Sequence, residues 1–288
     1  MSDLLSLVLR LRPLQPQDER PLPAWWGRAA HRALLALIQQ RDPAAAQTAH
    51  DGSELRPFTV STLMGRFVQR RFDPQGSYLL RFTTCTPALS ALVGALYAPG
   101  GALAPGAVLE LDRIPFEIAE VFTRAEEHPW AGAADYAGLS AAALLGGSPP
   151  RRLALRFTAP TSFRRAGVHV PVPLPELVFH SLLSRWNSFA PLALPDEVQR
   201  FAAECLVLSR FNLQSRTVQM KDEGLRIGAV GLAQYTALNY DRYWLGVLRA
   251  LAQFAFFGGV GAATSMGMGQ CRAEDADQAG PEAQPDQP

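Results

Sequence analysis

Apolar and polar residues alternate along Leu9-Arg10-Leu11-Arg12, the period-two pattern of a half-buried strand, which extends back to Leu4. Over residues 25–40 the period becomes helical, with Trp26, Ala30, Leu34, Leu37 and Ile38 on one side. Asp42 and Pro43 suit the cap and first position of a second, short helix that runs out at His50-Asp51-Gly52. Strands are predicted over residues 58–68 and 77–85, separated by the turn Asp73-Pro74-Gln75-Gly76. A helix over residues 87–97 follows, with Leu89, Leu92, Val93 and Leu96 at helical spacing, then a strand over 107–114 and an apolar-rich stretch to Phe122. The order is β-α-β-β-α-β, the ferredoxin-like arrangement.

After a Gly/Ala-rich stretch containing a short predicted helix over residues 136–145, the pattern starts again. Residues 152–157 read as a strand, and 174–189 as a helix with Leu177, Val178, Leu182 and Trp186 on one face. Residues 196–203 extend the helical connection. Strands over 205–220 and 225–236 meet at Lys221-Asp222-Glu223-Gly224, a helix covers 241–257, and 268–272 form a last strand. The fold class expected is α+β: two tandem ferredoxin-like (RRM-like) domains. Their bounds are 1–125 and 151–273, with a crossover linker at 126–150 and a disordered acidic tail at 274–288.

The 288 residues are 48% hydrophobic and 18% charged, the composition of a soluble globular protein with a substantial core. No apolar run is long enough for a membrane span, and the start, Met1-Ser2-Asp3, lacks the basic region of a secretion signal. Three distant cysteines (Cys85, Cys205, Cys271) fit neither a disulfide framework nor a thiolate metal site; a reducing cytoplasm is expected. The net charge of +1 hides an uneven distribution. Residues 274–288 hold five acids and no base, so residues 1–273 carry 27 basic against 21 acidic groups, a net +6. Lys221 is the single lysine; the rest is arginine, whose planar fork suits phosphate.

The densest punctuation lies at Gly259-Val260-Gly261 and Gly267-Met268-Gly269, two Gly-apolar-Gly triplets five residues apart. Glycines at this density allow φ > 0 and bring backbone N–H groups close to a ligand. Such a loop at a helix end either cradles phosphate or serves as plain punctuation.

This spacing resembles the signature that ends the CRISPR-associated repeat endoribonucleases of the RAMP superfamily. Three further segments are similar, in the same order. His50 to Ser61 looks like the family's histidine segment followed by a Phe-Thr-x-Ser strand entry. Phe157-Thr158-Ala159-Pro160-Thr161 resembles its Phe-x-x-Pro-Thr strand, and Leu182-Leu183-Ser184-Arg185 its Leu-Leu-x-Arg helix. The resemblance implies tandem ferredoxin-like folds and metal-independent cleavage of precursor CRISPR RNA within repeats. The 2′-OH attacks in line, leaving a 2′,3′-cyclic phosphate and a 5′-OH. A non-catalytic RAMP-type RNA-binding subunit of an effector complex is the alternative.

Such chemistry needs a base, an acid and positive charge on the phosphorane, and histidine suits the first two near neutral pH. His50 matches the catalytic segment, and a helix C-terminus there favours its protonated form; on its residues alone a solvated cap is the favoured reading, and the resemblance reverses it. His31, in the preceding helix, either approaches His50 or faces solvent. Arg56 falls where other members carry a catalytic lysine. For RNA binding the candidates are Gly259, Gly261, Gly267, Gly269, Arg164, Arg165 and Arg185. Arg70-Arg71, Arg151-Arg152, Arg66 and Arg81 are further candidate phosphate contacts, and Tyr235 and Tyr240 are candidate base stackers, although aromatics near strand ends are more often core. His128 and His169 read as exposed loop residues and His180 as a surface residue. No ligand spacing implies a metal, and no cofactor is expected. Expected partners are CRISPR repeat RNA and other effector-complex proteins, with the chain a monomer or homodimer and no membrane involved.

Overall fold

Leu5, Leu7, Leu9 and Leu11 enter one hydrophobic core together, which is why the first strand forms where its alternation places it. The computed structural model describes residues 2–14, 21–51, 55–73, 76–220 and 224–276, without the side chains of 48–51. It divides into two units: Met1–Ala133 with Ser265–Gly267, and Ala134–Thr264 with the segment that begins at Met268.

In the first unit, β1 (Leu4–Pro13) leads to α1 (Gly27–Arg41) and α2 (Pro43–Asp51). Then come β2 (Phe58–Val60), β3 (Phe67–Val68), β4 (Arg71–Phe72), β5 (Tyr78–Thr84), α3 (Pro87–Tyr97), β6 (Val108–Leu111) and β7 (Ile114–Phe122). The sheet order is β2-β5-β1-β7-β6, antiparallel throughout. Two expectations are corrected here. The strand predicted over 58–68 ends at Val60, because the chain turns into a separate β3–β4 ladder held by the Phe67, Phe72 and Tyr78 rings. The strand predicted over 107–114 is a hairpin: Asp112 and Arg113 take φ of 51° and 69°, so β7 folds back on β6.

A short strand, β8 (Gly132–Ala134), pairs with β1, and α4 (Tyr136–Leu144) follows. Asp135 caps α4 by accepting from Gly138 N. The segment 126–150 is thus shared between the two units rather than lying outside both.

The second unit continues with β9 (Arg152–Thr161), the hairpin β10 (Phe163–Arg165) and β11 (Val168–Val170), α5 (Pro175–Phe189) and α6 (Glu197–Cys205). It closes with β12 (Leu206–Met220), β13 (Gly224–Ala237), α7 (Arg242–Gly258) and β14 (Cys271–Glu274). The sheet order is β12-β13-β9-β14, again antiparallel throughout. Its core joins Phe157, Val178, Phe179, Leu182, Trp186, Leu248, Leu251 and Phe254. The last strand starts three residues later than its pattern suggests and takes in Glu274, whose carboxylate meets the Arg156 Nε at 2.5 Å. The tail beyond Ala276, and the turn residues Gly52, Pro74, Gln75 and Lys221 to Glu223, lie outside the described residues. No helix among the described residues is long and apolar enough to cross a membrane.

Candidate active site and glycine loop

The Trp26 ring sets the rotation of α1. It meets Phe116 edge-on and Phe72 at a tilt, with centroids 6.1 and 6.2 Å away, while its backbone N–H donates to Thr62 Oγ1. Ala30, Leu34 and Ile38 then point into the core, and His31 comes to the half-buried margin beside them. The His31 ring lies 5.4 Å from the Phe58 ring of β2, and its Nδ1 is 2.8 Å from the Ser265 carbonyl oxygen. A carbonyl only accepts, so Nδ1 carries the proton and Nε2 is the basic nitrogen of the neutral ring.

Ser265–Gly267 reaches this site because nothing obstructs it. Gly27, the first residue of α1, has no Cβ; one placed there would overlap the Met266 carbonyl. Trp25 Nε1 donates to that same carbonyl at 2.8 Å, and Gly267 bridges to Ser61. Gly267 itself has φ 94°, and a Cβ would sit 3.0 Å from the Gly27 Cα. Arg56, half-buried, precedes Phe58 by two residues in the segment that enters β2. His50 falls in the last turn of α2, with its side chain outside the described residues.

Most of the glycine loop serves the protein's own backbone. Gly259 ends α7 at φ 65°, donating to Ala255 O. Val260 N donates to Gly269 O, Gly261 N to Ser181 Oγ, Ala262 N to Ser162 O, Met268 N to Ala263 O and Gly269 N to Pro160 O. Six amides that a phosphate cradle would draw on are therefore already engaged. Gly261 and Gly269 are glycine for steric reasons: their φ values are 79° and 70°, and a Cβ would overlap the Ser162 and Val260 carbonyls respectively.

Several arginines lie elsewhere than their sequence context suggests. Arg185 is not an exposed phosphate contact: it is 3% exposed, and its Nη2 donates to Thr264 Oγ1 at 2.8 Å beside the loop. Arg81 is likewise buried, donating to Ser6 Oγ and Trp130 O beneath the Trp130 ring, and burial pulls its guanidinium down to about 9. Arg70 holds the Leu22 carbonyl. Tyr235 is a core residue whose hydroxyl donates to Pro173 O, so it stacks on no base.

Arg164 and Arg165 are exposed on β10, and Arg164 is paired in register with His169 on β11. His169 is therefore a strand residue. Burial, then Arg226 of β13 and Arg164, hold its ring below the usual histidine range. Arg165 lies 3.6 Å from Glu176. His128 is half-buried rather than exposed: it stacks on Phe122, and its Nδ1 accepts from Trp130 N. Burial, then Arg10 and Arg81, lower its affinity for a proton. His180 meets Gln199 at the surface. No metal-binding group of His, Cys, Asp or Glu occurs among the described residues.

The model of the family described as CRISPR-associated endoribonuclease Cas6 matches residues 155–271. A solved Cas6 product complex is 32% identical, with a TM-score of 0.70, covering 94% of this chain and 99% of that one. The chain belongs to the Cas6 family. A second Cas6 product complex is 26% identical at a TM-score of 0.75, covering 95% of this chain and 100% of that one. The Cas6 of Mycobacterium tuberculosis is 30% identical over 126 residues, 43% of this chain, and the match spans 39% of that relative's length.

The Cas6 model's span contains the glycine loop, Arg164, Arg165 and Arg185, whereas His31, His50 and Arg56 precede it. The residues that sequence reading missed are Trp25, Gly27 and Ser265. A tryptophan and a glycine at a helix start were the available signal, since a missing Cβ there marks the close approach of another backbone. Ser265 acts through its carbonyl, which no side-chain motif can announce.

Proposed function

We propose that the chain is a CRISPR repeat endoribonuclease that cuts precursor CRISPR RNA without a metal ion. The Cas6 family membership supports the substrate class. The observation that carries the chemistry is the His31 ring, held by the Ser265 carbonyl with its basic nitrogen at Nε2. In this reading Nε2 takes the proton of the 2′-OH, and the 2′-oxygen attacks the adjacent phosphorus. The bond from phosphorus to the 5′-oxygen breaks, and the departing oxygen takes a proton from His50. A place in the last turn of α2 favours the charged His50 ring that this role requires. Arg56 stabilises charge on the phosphorane. The products are a 2′,3′-cyclic phosphate and a 5′-OH.

Both units support a ferredoxin-like assignment, since the principal strands of each follow one order, with the strand after the first helical segment at the edge. Arg164 and Arg165 on the β10–β11 hairpin are the proposed phosphate contacts of the second unit. The glycine loop contributes through its conformation, with Arg185 fixing it from below.

Incubating the protein with repeat RNA in EDTA tests the assignment. Cleavage to a cyclic-phosphate end that disappears in His50→Ala supports it. Tight binding without cleavage would support instead a non-catalytic RNA-binding subunit.

A further inference from the structure

We propose that the tip of the glycine loop, Ser265–Gly267, is a positioning element that sets the tautomer and aim of His31. This deepens the reading above and rests on His31 being the base. An isolated histidine exchanges its proton between the two ring nitrogens, and only one tautomer presents Nε2 as a base. Here the choice is made by a carbonyl, which cannot donate, 2.8 Å from Nδ1. The Phe58 ring, 5.4 Å away, limits how the imidazole can swing.

The tip is itself held at every residue. Ser265 lies in the short 3₁₀ turn Thr264–Met266, the Met266 carbonyl accepts from Trp25 Nε1, and Gly267 bridges to Ser61. Behind it, Met268 N donates to Ala263 O, which closes the excursion into a narrow loop. Gly27 completes the device, because a side chain there would push the Met266 carbonyl off the start of α1, and Ser265 with it. Ser265, Trp25 and Gly27 are positioning residues: they act on the reaction through His31.

The effect expected of losing this alignment is that of a small misplacement, on the order of 10²-fold in rate. Gly27→Ala should slow single-turnover cleavage of repeat RNA about 10- to 100-fold at saturating protein, with RNA affinity unchanged. It should also move the acid limb of the pH–rate profile to lower pH, since a charged ring donates a stronger bond to a carbonyl than a neutral one. Trp25→Phe, which removes only the indole N–H, should do the same more weakly and guards against misfolding of the alanine variant.

Two-dimensional ¹⁵N NMR of histidine-labelled protein reads the tautomer without reference to activity. The wild type should show His31 protonated at Nδ1, and Gly27→Ala a mixture. A wild-type ring protonated at Nε2 overturns the proposal, as does a Gly27→Ala pH profile that coincides with the wild type. His31→Asn keeps a donor where Nδ1 was and removes the base. If it cuts at the wild-type rate while the wild-type ring is the Nδ1 tautomer, the catalytic reading fails and the tip's role in the reaction falls with it.

Discussion

The first helix after the opening strand does different work in the two units. In the first, α1 carries His31, a titratable ring at a half-buried margin, bonded to the Ser265 carbonyl. In the second, α5 carries Arg185, a permanent cation that is 3% exposed, bonded to the Thr264 hydroxyl. One bond holds a titratable ring by its Nδ1; the other ties a charge into the fold. The corresponding helices thus carry groups of different kinds, a titratable ring on one and a permanent cation on the other.

The largest break in this comparison should come from the first unit. His50→Ala should lower single-turnover cleavage by about 10²–10⁴-fold, the usual worth of a positioned acid or base, while a binding assay returns the wild-type affinity. Next is the loop itself. Gly269→Ala forces a side chain to φ 70° and onto the Val260 carbonyl, and should cost on the order of 2–4 kcal/mol in urea unfolding. Arg185→Met keeps the aliphatic stem and withdraws the Arg185 donor from the buried Thr264 hydroxyl. It should destabilise by about 1–3 kcal/mol, with cleavage per folded molecule lowered far less than in His50→Ala. A cleavage defect as deep as that of His50→Ala would place Arg185 in the reaction and erase the contrast between the two helices.

The smallest effect separates a half-buried histidine from an exposed one. His128 and His169 both hold protons less tightly than an ordinary histidine near 6.5, through burial first and neighbouring arginines second. Below about pH 6.5 the unfolded chain takes up protons that the folded chain refuses. Stability is thus fully present above that pH and declines as pH falls toward the folded value, at no more than about 1.4 kcal/mol per pH unit per group. Thermal melts from pH 7.5 to 5.5 should flatten more in His128→Asn than in His169→Asn. Protonation would also cost His128 the bond it accepts from Trp130 N, so the region around that tryptophan is where the loss should appear.

Much of the frame was legible because burial follows simple periods. The leucines of β1 alternate, and α1 repeats every three to four residues, with Ala30, Leu34 and Ile38 inward. What escaped was set by contacts distant in sequence. The polar pair Asp112-Arg113 interrupts the apolar residues of β6 and β7, but without the glycine usual in such a turn the hairpin is weakly marked. Arg185 looks like the solvated side of an amphipathic helix, yet it shares the buried face with Leu182 and Trp186, because the glycine loop covers it. The glycines were visible as a motif, but their reason was not. Density suggested open amides for phosphate; the amides are spent on Ser162, Ser181 and Pro160, and the missing side chains make room for carbonyls. The carbonyl bonded to His31 comes from 234 residues away, beyond the reach of any local pattern.

The most direct test of a reaction built on the histidines of the first unit is cleavage, in EDTA, of repeat RNA with and without a 2′-OH at the cut site. The account predicts cutting of the all-ribose RNA to a 2′,3′-cyclic phosphate and a 5′-OH, and an intact strand when that single hydroxyl is replaced by hydrogen. Cutting of the 2′-deoxy substrate at the same position would contradict it.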